Sequence, residues 1–175
     1  MSVRAVAAPS AADLDAAWEI VRARLAPTPL VPAPGLGEHV WLKLETLQPT
    51  GSFKVRGALA ALSRAGADGP VVTASAGNAG LGIAWAASVL GVQATVVVAE
   101  TASPAKVAPL ATLPVTLVQH GADYDAAEAH ALSLDGAYVS SYNDTGIIAG
   151  QATLGRELPD GPLTVVTPLG GGSLA

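Results

Sequence analysis

The sequence predicts an α/β protein built on a parallel sheet that is buried on both faces. Two observations carry this. Between Pro70 and Val139, short apolar and partly β-branched runs alternate with stretches of helix length, the pattern of right-handed βαβ units. Half of the 175 residues are hydrophobic and only 13% are charged, so the chain is globular rather than disordered.

The elements follow in order. Ser10-Ala11-Ala12-Asp13 has the form of a capping box, and the spacing predicts a helix from there to about Leu25. Pro27, Pro29, Pro32 and Pro34 then hold the chain extended, because proline fixes φ and biases its predecessor away from helix. Trp41–Glu45 alternates and reads as a strand with Leu42 and Leu44 on one face. Past the turn residues Pro49, Thr50 and Gly51, a helix is expected from near Ser52 to about Ala65. Strands are expected at Val71–Ala74, Ala94–Ala99, Val115–Gln119 and Ala137–Val139. Helices are expected near Asn78–Leu90, Pro104–Leu110, Tyr124–Leu134 and Thr145–Leu158. A last apolar run, Thr164–Thr167, reads as a strand leading into Pro168 and three glycines.

The four strands from Pro70 to Val139 can make a sheet by themselves, whereas the flanking segments supply one strand each. Two strands do not make an independently stable sheet. The expected division is therefore a complete small α/β domain at 67–142, set between two parts, 1–66 and 143–175, of a larger domain. A glycine loop that should open a helix stands at the end of the sequence, so the larger domain reads as incomplete and the chain as truncated after that loop.

The net charge of −5 and the lack of a Lys/Arg-rich block argue against nucleic acid or an anionic membrane surface as partner. No apolar run approaches the length of a membrane span. Met1–Ala12, with Arg4, lacks a continuous apolar stretch and is followed by Asp13, Asp15 and Glu19, which argues against a secretory signal. With no cysteine there is no disulfide, thiolate nucleophile or Cys-based metal site, and a cytoplasmic location fits. His39, His120 and His130 show no ligand-like spacing, so solvated or structural roles are expected and no metal site.

Three segments carry chemistry. In Thr50-Gly51-Ser52-Phe53-Lys54-Val55-Arg56-Gly57-Ala58, Lys54 follows a Gly-Ser turn and stands beside the only phenylalanine. A lysine at a helix start opposes the usual dipole preference, which suits an amine kept neutral or used in Schiff-base chemistry. An ordinary solvated helix lysine fits the segment equally well. Lys43 lies mid-strand and Lys106 in a first helical turn. The second segment, Ser75-Ala76-Gly77-Asn78-Ala79-Gly80-Leu81-Gly82, joins a strand to a helix. Its backbone N–H groups can hold a carboxylate or phosphate, and Asn78 adds a donor and an acceptor. A tight turn with a polar N-cap explains it as well, and its glycines do not match the dinucleotide order. The third, Pro168-Leu169-Gly170-Gly171-Gly172-Ser173-Leu174, lets backbone amides close around an anion with no Cβ in the way, Ser173 adding a hydroxyl. The Lys-Ser/Thr of a Walker loop is absent. The alternative is a flexible linker.

Together and in this order, the segments resemble the fold-type II, or tryptophan synthase β-like, family of pyridoxal-phosphate enzymes over nearly the whole chain. Thr28-Pro29-Leu30, Leu42-Lys43-Leu44-Glu45, Gln48-Pro49-Thr50-Gly51-Ser52-Phe53-Lys54, Ser75-Ala76-Gly77-Asn78, Gly150-Gln151 and Gly170-Gly171-Gly172 are the landmarks. The resemblance implies the three-layer fold of that family, with pyridoxal 5'-phosphate as cofactor. It implies that Lys54 holds the cofactor covalently with Phe53 beside it, and that Asn78 meets its ring hydroxyl. Gly170, Gly171, Gly172, Ser173 and Leu174 would cradle its phosphate, while Ser75, Ala76, Gly77 and Asn78 would bind the substrate.

Phe-Lys-Val-Arg-Gly-Ala at 53–58 is most similar to serine/threonine dehydratases and serine racemases. The implied activity is dehydration and deamination of L-threonine or L-serine to a 2-oxo acid and ammonia. Racemisation, β-replacement and an inactive truncated member are the alternatives. Racemase-like members carry a serine where this chain has Ala76, which tilts the reading to elimination, although dehydratases usually have His where it has Ala79. The fourth glycine of the phosphate loop is here Ser173. The partner implied is a small amino acid, with a homodimer for a full-length form.

Overall fold

Ser10 caps the first helix, α1 (Ala11–Arg22), through the expected box: its hydroxyl accepts from the Asp13 N–H, and its own N–H donates to Asp13 at 3.0 Å. This computed structural model describes residues 6–66 and 68–175. The first five residues of the stretch read for a leader, Arg4 among them, and Ala67, where the middle unit was expected to open, lie outside the described residues.

The proline-rich segment forms β1 (Leu30–Pro32), paired antiparallel with β2 (Trp41–Lys43) in the register Val31↔Leu42. The strand expected over Trp41–Glu45 stops at Lys43, because Glu45–Leu47 turns into a 3₁₀ segment that carries Glu45 toward Arg56. Leu42 and Leu44 do not share a buried face: Leu42 is 43% exposed, while Lys43 between them turns inward to Glu157 and the Thr28 carbonyl. Gly51, at φ +71, makes the turn into α2 (Lys54–Ala65). That positive φ is a conformation L side chains rarely adopt.

The βα alternation then holds. β3 (Val71–Ala74), α3 (Asn78–Leu90), β4 (Ala94–Val98), α4 (Pro104–Ala111), β5 (Thr116–Gln119), α5 (Tyr124–Ser133), β6 (Ala137–Tyr138) and α6 (Thr145–Ala152) follow in order. The strands form one parallel sheet in the order β5-β4-β3-β6. Alternate residues point to opposite faces. Val96 and Val98 pack with Ala84 of α3 and Leu110 of α4, while Val72, Ala74 and Val97 pack with Ala127 and Ala131 of α5. The result is a three-layer unit with α2 packed on the outer side of α3 and α1 and α6 packed in turn on α2.

Two further expectations need correction. The helix expected over Thr145–Leu158 ends at Ala152 and continues as a 3₁₀ segment, Thr153–Glu157. Thr153 turns its hydroxyl back onto the Gly150 carbonyl at 2.7 Å, which tightens the last turn. The run Thr164–Thr167 is not a strand. No described strand lies beside it to accept its backbone groups, and Val166 is 91% exposed.

Candidate active site

Ligands of open parallel sheets bind outside the carboxyl ends of the strands, where the order reverses. Here the chain leaves β3 toward β4 on one side, and β6 returns on the other. The crevice between the ends of β3 and β6 is therefore the expected place. The Thr73 hydroxyl pins its floor, donating to the Val139 carbonyl at 2.8 Å.

Ser75, Ala76 and Gly77 form the turn above β3. The Ser75 N–H donates to Val97, and its hydroxyl accepts from the Gly77 N–H at 3.2 Å. The loop is pressed onto its helix so closely that a Cβ on Gly80 would overlap the Ser75 carbonyl. Asn78 opens α3 with its side chain exposed, and Gly77 gives the helix no side-chain cap. First-turn N–H groups are left available there, at the positive end of the helix dipole.

Lys54 is the first residue of α2, half-buried, with Nζ 4.8 Å from the centroid of the Phe53 ring. Burial holds its pKa below the ordinary lysine value. Gly82 brings α3 against it: an added Cβ there would lie 3.1 Å from both the Lys54 carbonyl carbon and oxygen. Gly82 stands four residues after Asn78, so the start of α3 is about one helical turn, roughly 6 Å of rise, from this contact. Lys54 and the Ser75–Asn78 segment are thus brought together.

The glycine loop arrives from the β6 side. A Cβ on Gly171 would come within 2.6 Å of Cβ and Cγ of Tyr142, so only glycine fits against that ring. Gly170 and Gly171 are exposed, Gly172 has φ +81, Ser173 is buried and Leu174 half-buried. The Ala175 N–H donates to Gly172 and closes a turn.

The sequence reading left several neighbours without a role. Arg56, fully buried, donates to Glu45 and Glu157, and Lys43 donates to Glu157 and to the Thr28 carbonyl. Four charges from distant segments therefore anchor the helix that starts at Lys54. Tyr138 and Tyr124 both donate to Glu128, at 2.6 and 3.2 Å, beside the end of β6, and Tyr142 follows four residues beyond it. Gly82 could have been noticed from sequence, since a glycine inside a helix costs about 1 kcal/mol and often marks a close approach. The charge cluster gave no such signal. His120 and His130 stack with ring centroids 3.9 Å apart. Among the described residues, no three His, Cys, Asp or Glu side chains are grouped to hold a metal ion. No helix of the described residues is long and apolar enough to cross a membrane.

A family model described as "Pyridoxal-phosphate dependent enzyme" matches residues 21–175. The L-threonine ammonia-lyase of Thermotoga maritima is 40% identical over 149 residues, covering 79% of this chain and 37% of the relative. That of Geobacter sulfurreducens is 39% identical over 150 residues, with the same two coverages, 79% and 37%. The chain thus spans well under half the length of these curated relatives. Among solved structures, the processed form of threonine deaminase isoform 2 from Solanum lycopersicum superposes with a TM-score of 0.74 at 30% identity, covering 90% of this chain and 48% of that one. The serine racemase of Dictyostelium discoideum superposes with a TM-score of 0.78 at 28% identity, covering 86% and 53%.

Proposed function

Because the chain belongs to the pyridoxal-phosphate dependent enzyme family, we propose that it carries the lysine, substrate loop and phosphate loop of an ammonia-lyase acting on L-threonine or L-serine. The residues present fit the cofactor. The ring of Tyr142 leaves room only for glycine at position 171, so that residue adds no side chain to the loop. Lys54 is an amine whose positive charge burial disfavours. Gly170 to Leu174 would hold the phosphate, Asn78 the ring hydroxyl, and Phe53 and Lys54 the remainder.

Bound pyridoxal phosphate supplies an electron sink for the pair left when a Cα–H bond breaks. Lys54 Nζ, neutral once free, takes the Cα proton. The Ser75 hydroxyl and the N–H groups of Ala76, Gly77 and Asn78 hold the substrate carboxylate and so orient Cα toward Nζ. A hydroxyl leaving Cβ with a proton departs as water, and hydrolysis of the resulting enamine releases ammonia and a 2-oxo acid. The Phe53 ring, its centroid 4.8 Å from Nζ, covers one side of the amine.

The observation that carries this reading is Lys54 at the head of α2, locked against α3 by Gly82 and made easier to deprotonate by burial. Borohydride reduction of the cofactor-loaded protein, followed by peptide mapping, should label Lys54. Label on Lys43 or Lys106 would refute it. Racemisation is the second reading, favoured by the likeness to a serine racemase, while Ala76 supplies no side-chain base for the opposite face. Chiral analysis of L-serine after incubation separates the two. The reading extends to a cytoplasmic homodimer in the full-length form, with 67–142 as a small domain carrying the four-stranded sheet and 1–66 and 143–175 belonging to a larger one.

A further inference from the structure

Five buried polar side-chain atoms have no hydrogen-bond partner among the described residues: Gln48 Nε2, Thr50 Oγ1, Ser52 Oγ, and both Nε2 and Oε1 of Gln151. They flank Lys54. Three belong to the turn just ahead of it in the chain. Gln151 belongs to α6, which packs on the first turn of α2: a Cβ on Gly57 would lie 3.1 Å from both Cγ and Nε2 of Gln151. Lys54 and Gly57 are three residues apart in one helix and so share a face. The Gln151 carboxamide therefore fills the space that Gly57 leaves open, on the face that carries Lys54.

Gln151 is 0% exposed, and Gln48 and Ser52 are 6% and 7% exposed. Phe53 gives α2 no side-chain cap, so its first-turn N–H groups add donors in the same place. Buried carboxamides are rarely left unpaired in folded proteins. A buried water needs about two to four polar partners, and groups of that kind stand unpaired on both segments.

We propose that Gln151 is a positioning residue for Lys54: with Ser52 and Gln48, its carboxamide holds internal water against the first turn of α2 and sets the solvation of the Lys54 amine. This rests on reading Lys54 as the cofactor lysine for its importance, though not for its test. The charged groups on the surrounding elements are engaged with one another. Arg56, Glu45, Glu157 and Lys43 form one cluster, Asp144 caps α6, Asp13 pairs with Arg64 and Asp15 with Arg156. Glu19 pairs with Arg22, and α3 carries no charged residue.

Competitive acetylation of the full protein, freed of cofactor, reads the apparent pKa of the Lys54 amine when the Lys54 peptide is quantified across a pH series. Gln151→Glu should raise that pKa by about one unit, because a carboxylate close by favours the ammonium. Gln151→Leu should lower it, and Gly57→Ala, which pushes the carboxamide aside, should shift it in the same direction. A merely structural role would change thermal stability and leave the titration alone. Wild-type titration of Lys54 in folded Gln151→Glu overturns the proposal, whether or not Gln151→Leu folds. The reading of Lys54 itself fails separately, if borohydride labels another lysine while the Gln151 shifts persist.

Discussion

Arg56 donates to both carboxylate oxygens of Glu157, at 2.6 Å from Nη1 and 3.0 Å from Nη2, across 101 residues of chain. The guanidinium is fully buried and donates on its other edge to Glu45 at 2.8 Å. Removing one member of such a cluster leaves a buried charge uncompensated. Arg56→Leu should therefore cost about 3–5 kcal/mol of stability, measured by urea denaturation.

The same cluster sets an acid limit. Burial alone would raise the pKa of Glu157, but hydrogen bonds and charge from Arg56 and Lys43 outweigh it and hold the carboxyl below the ordinary glutamate value. A carboxyl depressed in the folded state contributes stability that is present above its unfolded pKa and lost as pH falls through the folded one. Melting temperature should drop as pH falls below about 4. Glu157→Gln, less stable at pH 7, should show a shallower acid limb, and an unchanged limb would locate the titrating group elsewhere.

At Gly82 the expected effect is steric. A methyl group there meets the Lys54 carbonyl at 3.1 Å, and backbone on both sides must give way. Gly82→Ala should cost about 1–3 kcal/mol and reduce borohydride labelling of Lys54 under conditions where the variant is still folded. Loss of stability with full labelling would mean that the α2–α3 contact does not govern the lysine.

In the glycine loop, Gly171→Asp brings a Cβ into the Tyr142 ring and a negative charge to the position assigned to a phosphate. Cofactor affinity, followed by spectroscopic titration, should fall by at least about tenfold, which corresponds to roughly 1.4 kcal/mol. Ser173→Gly should change it little, since the backbone donors remain. Normal affinity in Gly171→Asp would put the phosphate elsewhere.

Hydrogen exchange should follow the strand ladder. β3 and β4 are central, each with ladder partners on both sides, and their amides should be the slowest to exchange. Thr164–Thr167, exposed or half-buried and outside any ladder, should exchange fast.

Elements whose signal is local were legible in the sequence. Val71–Ala74 and Asn78–Leu90 are found with the bounds expected, because β-branched runs and glycine-flanked helices announce themselves within a few residues. The helix expected over Thr145–Leu158 stops early because periodicity does not register a threonine hydroxyl turning back on its own helix. Thr164–Thr167 has strand composition without a neighbour, and propensity cannot supply one. At the candidate site, Lys54, Ser75–Asn78 and Gly170–Leu174 could be singled out as short motifs. The cluster of Lys43, Glu45, Arg56 and Glu157 could not, because its members are drawn together only by tertiary packing, across as many as 114 positions. Gln151 was visible as a family landmark, but its burial beside Gly57 depends on the packing of α6 on α2.

The chain has three tyrosines: Tyr124 and Tyr138 bond Glu128 at the end of β6, and Tyr142 stands four residues beyond that strand. Burial, then the nearby Glu128 carboxylate, pushes Tyr124 up to about 12, and burial with the hydrogen bond to Glu128 raises Tyr138 as well. Trp18, Trp41 and Trp85 lie in α1, β2 and α3. Phenol absorbance is therefore a built-in optical reporter for one corner of the molecule, the corner against which Gly171 rests. Indole emission, arising elsewhere, supplies an independent channel.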